Sequence, residues 1–215
     1  MAMFGNNDEN NPVIDEDMLS NYGVEMSHEL KIPRERIAVL IGSEGENKRK
    51  IEDTLKVSLH INSEEGDVFI KGDDALKLFN AQEIVRAIGR GFNPDIAFKL
   101  MKSDFVLDLI NLKDFFKNKN HMARIKGRII GTDGKTRQII EEHTGCNISI
   151  YGKTIGIIGR SETATIARKA IDMIIDGSQH STVYRFLETK RKELRVLEGV
   201  ESEEISDKFK KFAND

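Results

Sequence analysis

The chain has one cysteine, Cys146, in 215 residues. That excludes an internal disulfide and points to a reducing compartment. Its setting in the alternating run Cys146-Asn147-Ile148-Ser149-Ile150 reads as a small buried core residue, not a reactive thiol. No apolar run approaches the about 20 residues of a membrane span, and the N-terminal stretch is acidic with no hydrophobic signal core. A soluble, cytoplasmic, monomeric protein with no membrane partner is expected. Metal-ligand spacing is missing as well. His28, His60, His121, His143 and His180 are scattered, and Cys146 has no neighbour in a catalytic arrangement, so no metal, no cofactor and no enzymatic activity are expected. Glu142 and His143 read as solvated or capping residues. Nor does one charge dominate: the net of −3, taken whole, argues against a polyanionic partner.

The distribution of charge argues otherwise. Residues 1–22 carry five acids and no Lys or Arg, residues 23–93 have 11 basic and 13 acidic side chains, and residues 121–199 have 14 basic against 9 acidic. The chain therefore runs from −5 through −2 to +5, and the basic part lies in the C-terminal half. The contrast leaves room for the acidic arm to fold back over the basic half; deleting it should then raise affinity for a polyanion.

An internal repeat is what the chain does have. Ile41, Gly42, Gly45, Ile51, Glu52, Leu59 and Ile61 match Ile130, Gly131, Gly134, Ile140, Glu141, Ile148 and Ile150 at a constant offset of 89. Gly72 then falls on Gly159 and Gly91 on Gly177, after a slightly shorter loop in the second copy. Two copies are too few for a solenoid, which needs about three, so two small domains in tandem are expected. Each copy reads strand, helix, Gly-x-x-Gly turn, helix, strand, strand, helix, an α+β arrangement with three strands under three helices. The chain divides into an acidic disordered arm (1–22), a first domain (23–93), a connecting helix (94–103), a second domain (104–180), a basic C-terminal helix (181–199) and a frayed tail (200–215). Within the second domain, 113–120 reads as a polar insertion and the first helix as 123–130.

The two glycines of Gly-x-x-Gly leave no Cβ above a turn at which a helix begins. Free N–H groups and the positive end of the helix dipole point there, and a phosphate is the natural guest. In the second copy, Lys135 and Arg137 follow the turn, and Arg124, Lys126 and Arg128 come from the helix before it. An apolar groove lined by Ile129, Ile130, Ile139 and Ile148 is expected beside it for unstacked bases; a KH module clamps about four nucleotides in this way. The run Gly131-Thr132-Asp133-Gly134-Lys135-Thr136 lacks the spacing of a phosphate-binding P-loop, so its Lys-Thr pair is a decoy. The first copy has Glu44 in the turn and Glu46 at the helix start, only partly offset by Lys48, Arg49 and Lys50. It is expected to serve mainly in packing and protein contacts.

The stretches Ile125-Lys126-Gly127-Arg128-Ile129-Ile130-Gly131, Arg137-Gln138-Ile139-Ile140-Glu141-Glu142 and Tyr151-Gly152-Lys153-Thr154 resemble the second KH domain of archaeal small-subunit assembly factors, relatives of the eukaryotic partner-of-Nob protein. Ala87-Ile88-Gly89-Arg90-Gly91-Phe92 and Ser181-Thr182-Val183-Tyr184-Arg185-Phe186-Leu187-Glu188 look like that family too, so the resemblance spans about residues 30–195. It implies two tandem type I KH domains, each with a three-stranded antiparallel sheet. It also implies binding of single-stranded rRNA near the 3′ end of the small-subunit rRNA, in a processing complex with the Nob endonuclease, and contact with the α subunit of translation initiation factor two. Carried over by motif, the RNA-contacting positions are Gly131, Thr132, Asp133, Gly134, Lys135 and Arg137, with Arg128 beside them. The sequence departs from the family at the middle of both turns, where Ser43-Glu44 and Thr132-Asp133 replace the usual basic residues. That departure shifts weight to the groove, Arg124, Lys126 and the basic C-terminal helix. It also keeps a second reading open, a protein-interaction scaffold that grips RNA weakly.

Overall fold

The computed structural model describes residues 26–212, with side chains described through residue 196. The acidic arm at 1–22 lies outside the described residues. The first unit comprises β1 (Met26–Lys31), α1 (Arg34–Ile41), α2 (Glu46–Leu55), β2 (Ser58–Asn62), β3 (Asp67–Gly72) and α3 (Ala75–Gly89). A short α4 (Pro94–Ala97) runs into a 3-10 turn at Phe98–Met101. The second unit comprises β4 (Phe105–Asn111), α5 (Lys119–Ile130), α6 (Lys135–Thr144), β5 (Asn147–Tyr151), β6 (Thr154–Arg160) and α7 (Ser161–Ile175), followed by the long α8 (His180–Phe212). Each unit holds one antiparallel three-stranded sheet, ordered β1-β3-β2 and β4-β6-β5.

Local chemistry sets these elements. In α3, Leu78, Ala81, Ile84, Val85 and Ile88 recur at helical spacing and are all buried. Asp74 caps that helix by accepting from Leu76 N and Lys77 N at 2.9 and 3.1 Å, a cap that stabilises a helix by about 1 kcal/mol. In the central strand β3, Val68 and Ile70 point into the core and Val68 stands between Leu30 and Ile61. One tie occurs in both units. Glu52 Oε1 accepts from Leu59 N at 2.8 Å and Glu141 Oε1 from Ile148 N at 2.7 Å. The second helix is thereby fastened to the edge strand in both.

Two elements differ from expectation. α5 starts at Lys119, one turn earlier, because Asn118 accepts from Asn120 N at 2.8 Å and caps it. Its first turn, Lys119-Asn120-His121, has no apolar residue and so reads as loop. α8 begins at His180 and its backbone stays helical to Phe212, through the stretch expected to fray.

The units share an interior. All of β6 from Thr154 to Gly159 is buried, which one helical layer cannot achieve for a strand with two faces. The other face meets the connector: a Cβ on Gly156 would lie 2.5 Å from the Phe92 ring, and Ile158 belongs to the core of the first unit. Lys99 Nζ donates to Asn147 Oδ1 at 2.9 Å across the same joint, and the Tyr151 hydroxyl donates to Glu35. Units of this size are marginal alone, and the shared core enlarges what each buries.

Candidate nucleic-acid interface

Both turns have the same unusual backbone. Gly42 and Gly131 sit at φ 75°, ψ 177° and φ 74°, ψ 176°, a region only glycine occupies without strain. The side chain of the sixth residue fills the space that a Cβ on the first glycine would take. A Cβ on Gly131 would be 2.3 Å from Thr136 Oγ1, and one on Gly42 would be 2.7 Å from Asn47 Nδ2. Gly45 and Gly134 are left-handed (φ 80° and 77°) but face open space. Between the glycines, Glu44 and Asp133 hold φ 52°. The Lys-Thr decoy thus has a structural use: buried Thr136 packs under the turn and bonds the Tyr184 hydroxyl at 2.9 Å.

The second turn is open. Thr132, Asp133 and Lys135 are exposed, Gly131 and Gly134 half-exposed, and the first unit packs on the far face of the sheet. An open cleft of about 410 Å³ lies beside it between α5, α6 and the start of α8, lined by Arg124, Arg128, Thr132, Lys135, His180 and Tyr184 among others. Exposed Lys135 stands at the N-terminus of α6. Neither it nor Arg124 makes an ion pair or side-chain hydrogen bond among the described residues.

The five cations expected together at the turn do not form one ring. Arg124 and Arg128 line the cleft. Lys126, two residues from Arg124 and so across the helix, donates to Gly152 O at 3.0 Å in the β5–β6 turn. Arg137 pairs with Glu141 at 3.3 Å. Arg128 is committed to the fold: its guanidinium donates to Ile174 O at 2.9 Å and Ser178 O at 2.5 Å, closing the C-terminal end of α7. Arg36 does the same in the first unit, donating to Ile88 O and Phe92 O at 2.8 and 2.6 Å, carbonyls in equivalent places of the repeat. Hydrogen bonds from a charged donor contribute about 1.5–3 kcal/mol each. Arg128→Ala is therefore expected to lower unfolding free energy by about 2–4 kcal/mol in urea titrations, with Arg36→Ala close behind; a drop below about 0.5 kcal/mol would place both at an ordinary surface site.

The expected apolar groove is also corrected. Ile129 and Ile148 are buried in the second core and cannot line an open surface; Ile130 is exposed and Ile139 half-buried. In the first turn, the three offsetting cations are all engaged. Lys48 lies 3.9 Å from Glu52, Arg49 donates to Glu44 O at 2.6 Å, and Lys50 stands 4.1 Å over the Phe98 ring. Cys146 is buried, and burial pushes its thiol up from the ordinary value, so it is no ready nucleophile. Sequence reasoning missed His180 and Tyr184 as walls of the cleft. Their signal was weak: an aromatic pair at helical spacing, with rings 6.0 Å apart, in a helix that reads as merely basic.

Comparison with known proteins matches residues 106–192 to the eukaryotic type KH domain (KH domain type I) and residues 27–87 to the KH domain. A KH domain-containing protein of Methanocaldococcus jannaschii is 44% identical over 183 residues, covering 83% of this chain and 80% of that one. The pre-rRNA-processing protein PNO1 of Debaryomyces hansenii is 29% identical over 169 residues, covering 76% and 66%. Among solved structures, a chain of the a/eIF2alpha–aDim2p–rRNA complex from Pyrococcus horikoshii OT3 superposes with a TM-score of 0.75 at 43% identity, over 82% of this chain and 99% of that one.

Proposed function

The chain belongs to the tandem KH-domain family of the archaeal Dim2p and eukaryotic PNO1 proteins, and from that premise we propose that it binds single-stranded rRNA near the 3′ end of the small-subunit rRNA, without catalysis, during processing and assembly of that subunit. The observation that carries this reading is the open turn at Gly131–Gly134, with Lys135 and Arg124 beside it and unpaired among the described residues. Phosphates would sit on the N–H groups at the start of α6, with Lys135 and Arg124 on either hand and the hydroxyls of Thr132 and Tyr184 within the same cleft. Arg128 then acts by holding α5 against α7, and Arg137 through its pair with Glu141. The first turn, whose cations are engaged, serves packing and protein contact.

The partner set consistent with this role is the rRNA strand, the α subunit of initiation factor two and the Nob endonuclease, met in the cytoplasm. The first two are supported by the composition of the Pyrococcus complex. Binding of a single-stranded rRNA 3′-end oligonucleotide over a salt series tests the reading. Each neutralised phosphate on a single strand contributes about −0.7 to the slope of log affinity against log salt, so two to three contacts predict about −1.4 to −2.1. A slope near zero would leave a protein-interaction scaffold.

A further inference from the structure

Two segments singled out in the sequence, Gly89–Phe92 and Tyr151–Thr154, take no part in the turn, yet the fold brings them together. Ser149 Oγ donates to Arg90 O at 3.0 Å, and a Cβ on Gly91 would meet the Tyr151 Cβ at 2.8 Å. Beside this contact, at the joint between the units, lies a second open cleft of about 550 Å³, walled by Arg90, Lys113, Lys153 and Tyr151 over Leu109. No carboxylate lines it. Two acids stand behind its wall and keep their charge, Glu35 accepting from the Tyr151 hydroxyl and Asp114 from the Asn111 amide at 3.1 Å.

Arg90, Lys113 and Lys153 are exposed, and none of their charged side-chain groups has an ion pair or hydrogen bond among the described residues. That sets them apart from Arg128, Arg137 and Arg168, each held by a carbonyl or carboxylate. Three cations around one concavity, against two carboxylates set behind its Tyr151 and Asn111 walls, leave a positive excess at the mouth that favours a polyanion. One hydrogen bond ties the wall of the cleft to the helix that leads into the turn. Gly152, in its wall, accepts from Lys126 Nζ, and the rise of α5 puts Lys126 about 7.5 Å along the axis from Gly131. Lys126, on the face of α5 away from Arg124, thus stands between the helix that leads into the turn and the wall of this cleft, which holds Lys153, Lys113 and Arg90 of the first unit.

We propose that this interdomain cleft is a second contact for the same single-stranded RNA, gripping phosphates beyond the nucleotides held at the turn, with the Tyr151 ring in its wall for base contact. The proposal rests on the reading of the second domain as an RNA binder. It gives the first unit a part in RNA binding through Arg90, at the joint and not at its own turn.

The test uses the full chain and two labelled single strands from the small-subunit rRNA 3′ end. One has about four nucleotides, a single KH footprint, and the other about ten, within the range of extended single-strand sites. Wild type is expected to bind the longer strand at least about tenfold more tightly and with a steeper salt slope, each added phosphate contributing about −0.7. The triple variant Arg90→Gln/Lys113→Gln/Lys153→Gln should lose that gain, its slope on the long strand becoming shallower by about 2, while its affinity for the short strand and its unfolding midpoint stay unchanged. Retention of the long-strand gain by the triple variant would overturn the proposal. An equal loss on both strands would do so too, since the three charges would then act only as a general field. If wild type binds neither strand, the reading of the turn falls first and the cleft goes with it.

Discussion

Gly131→Ala is expected to unfold the second domain's turn, with a stability loss of about 2–5 kcal/mol, whereas Gly134→Ala, three residues on, loses only about 1–2 kcal/mol. The two glycines look alike in sequence and both hold positive φ, but they meet different surroundings. At Gly131 the backbone sits where only glycine is unstrained, and an added Cβ would overlap Thr136 Oγ1 at 2.3 Å and Thr136 N at 2.7 Å. Backbone nitrogen cannot swing aside as a flexible side chain does. A Cβ added at Gly134 would meet nothing within 4 Å, so the loss is that of left-handed backbone alone. Urea unfolding of both variants measures the difference. Comparable losses would mean that Thr136 moves readily, and the close approach would lose its meaning. Gly42→Ala and Gly45→Ala should repeat the contrast, since Asn47 plays the part of Thr136.

Charge reversal at the second turn carries the other large effect. Arg124→Glu with Lys135→Glu removes two unpaired cations from the cleft, and at about 1.5 kcal/mol per charge-assisted contact the loss is about 3 kcal/mol, roughly a hundredfold in affinity for a single-stranded rRNA 3′-end oligonucleotide. The same reversal at Lys48 and Arg49 should stay within about threefold, because those side chains are already engaged by Glu52 and the Glu44 carbonyl. Lys135→Glu paired with Arg137→Glu, the choice that sequence position alone recommends, should fall between the two, since Arg137 stands against Glu141. The readout is the affinity at fixed salt together with the salt slope. Equal effects from both turns would refute the division of labour between the repeats.

The basis for these contrasts was unevenly legible in the chain. The order of elements and the duplicated turn followed from glycine spacing and apolar alternation, and a helix does follow each turn, α2 over Glu46–Leu55 and α6 over Lys135–Thr144. The polar first turn of α5 went unrecognised because its signal is one side-chain cap, Asn118, with no apolar periodicity behind it. The groove failed for a geometric reason. Ile129 and Ile130 are adjacent, yet about 100° of helix rotation sends one into the core and leaves the other outside.

What the sequence determined by itself is therefore the local layer: two copies of one α+β unit, and a turn in each that only glycine can make. Dihedral preference and hydrophobic period act over a few residues, so they can be read from a few residues. The tertiary structure alone decided which cations remain available. Arg128 is claimed by carbonyls 46 and 50 residues away, while Arg90 meets Lys153 in one cleft only because β6 is covered on both faces by parts of the two units. Partners so distant in the chain leave no local mark, and a charge becomes a binding group only when folding supplies no counter-charge of its own.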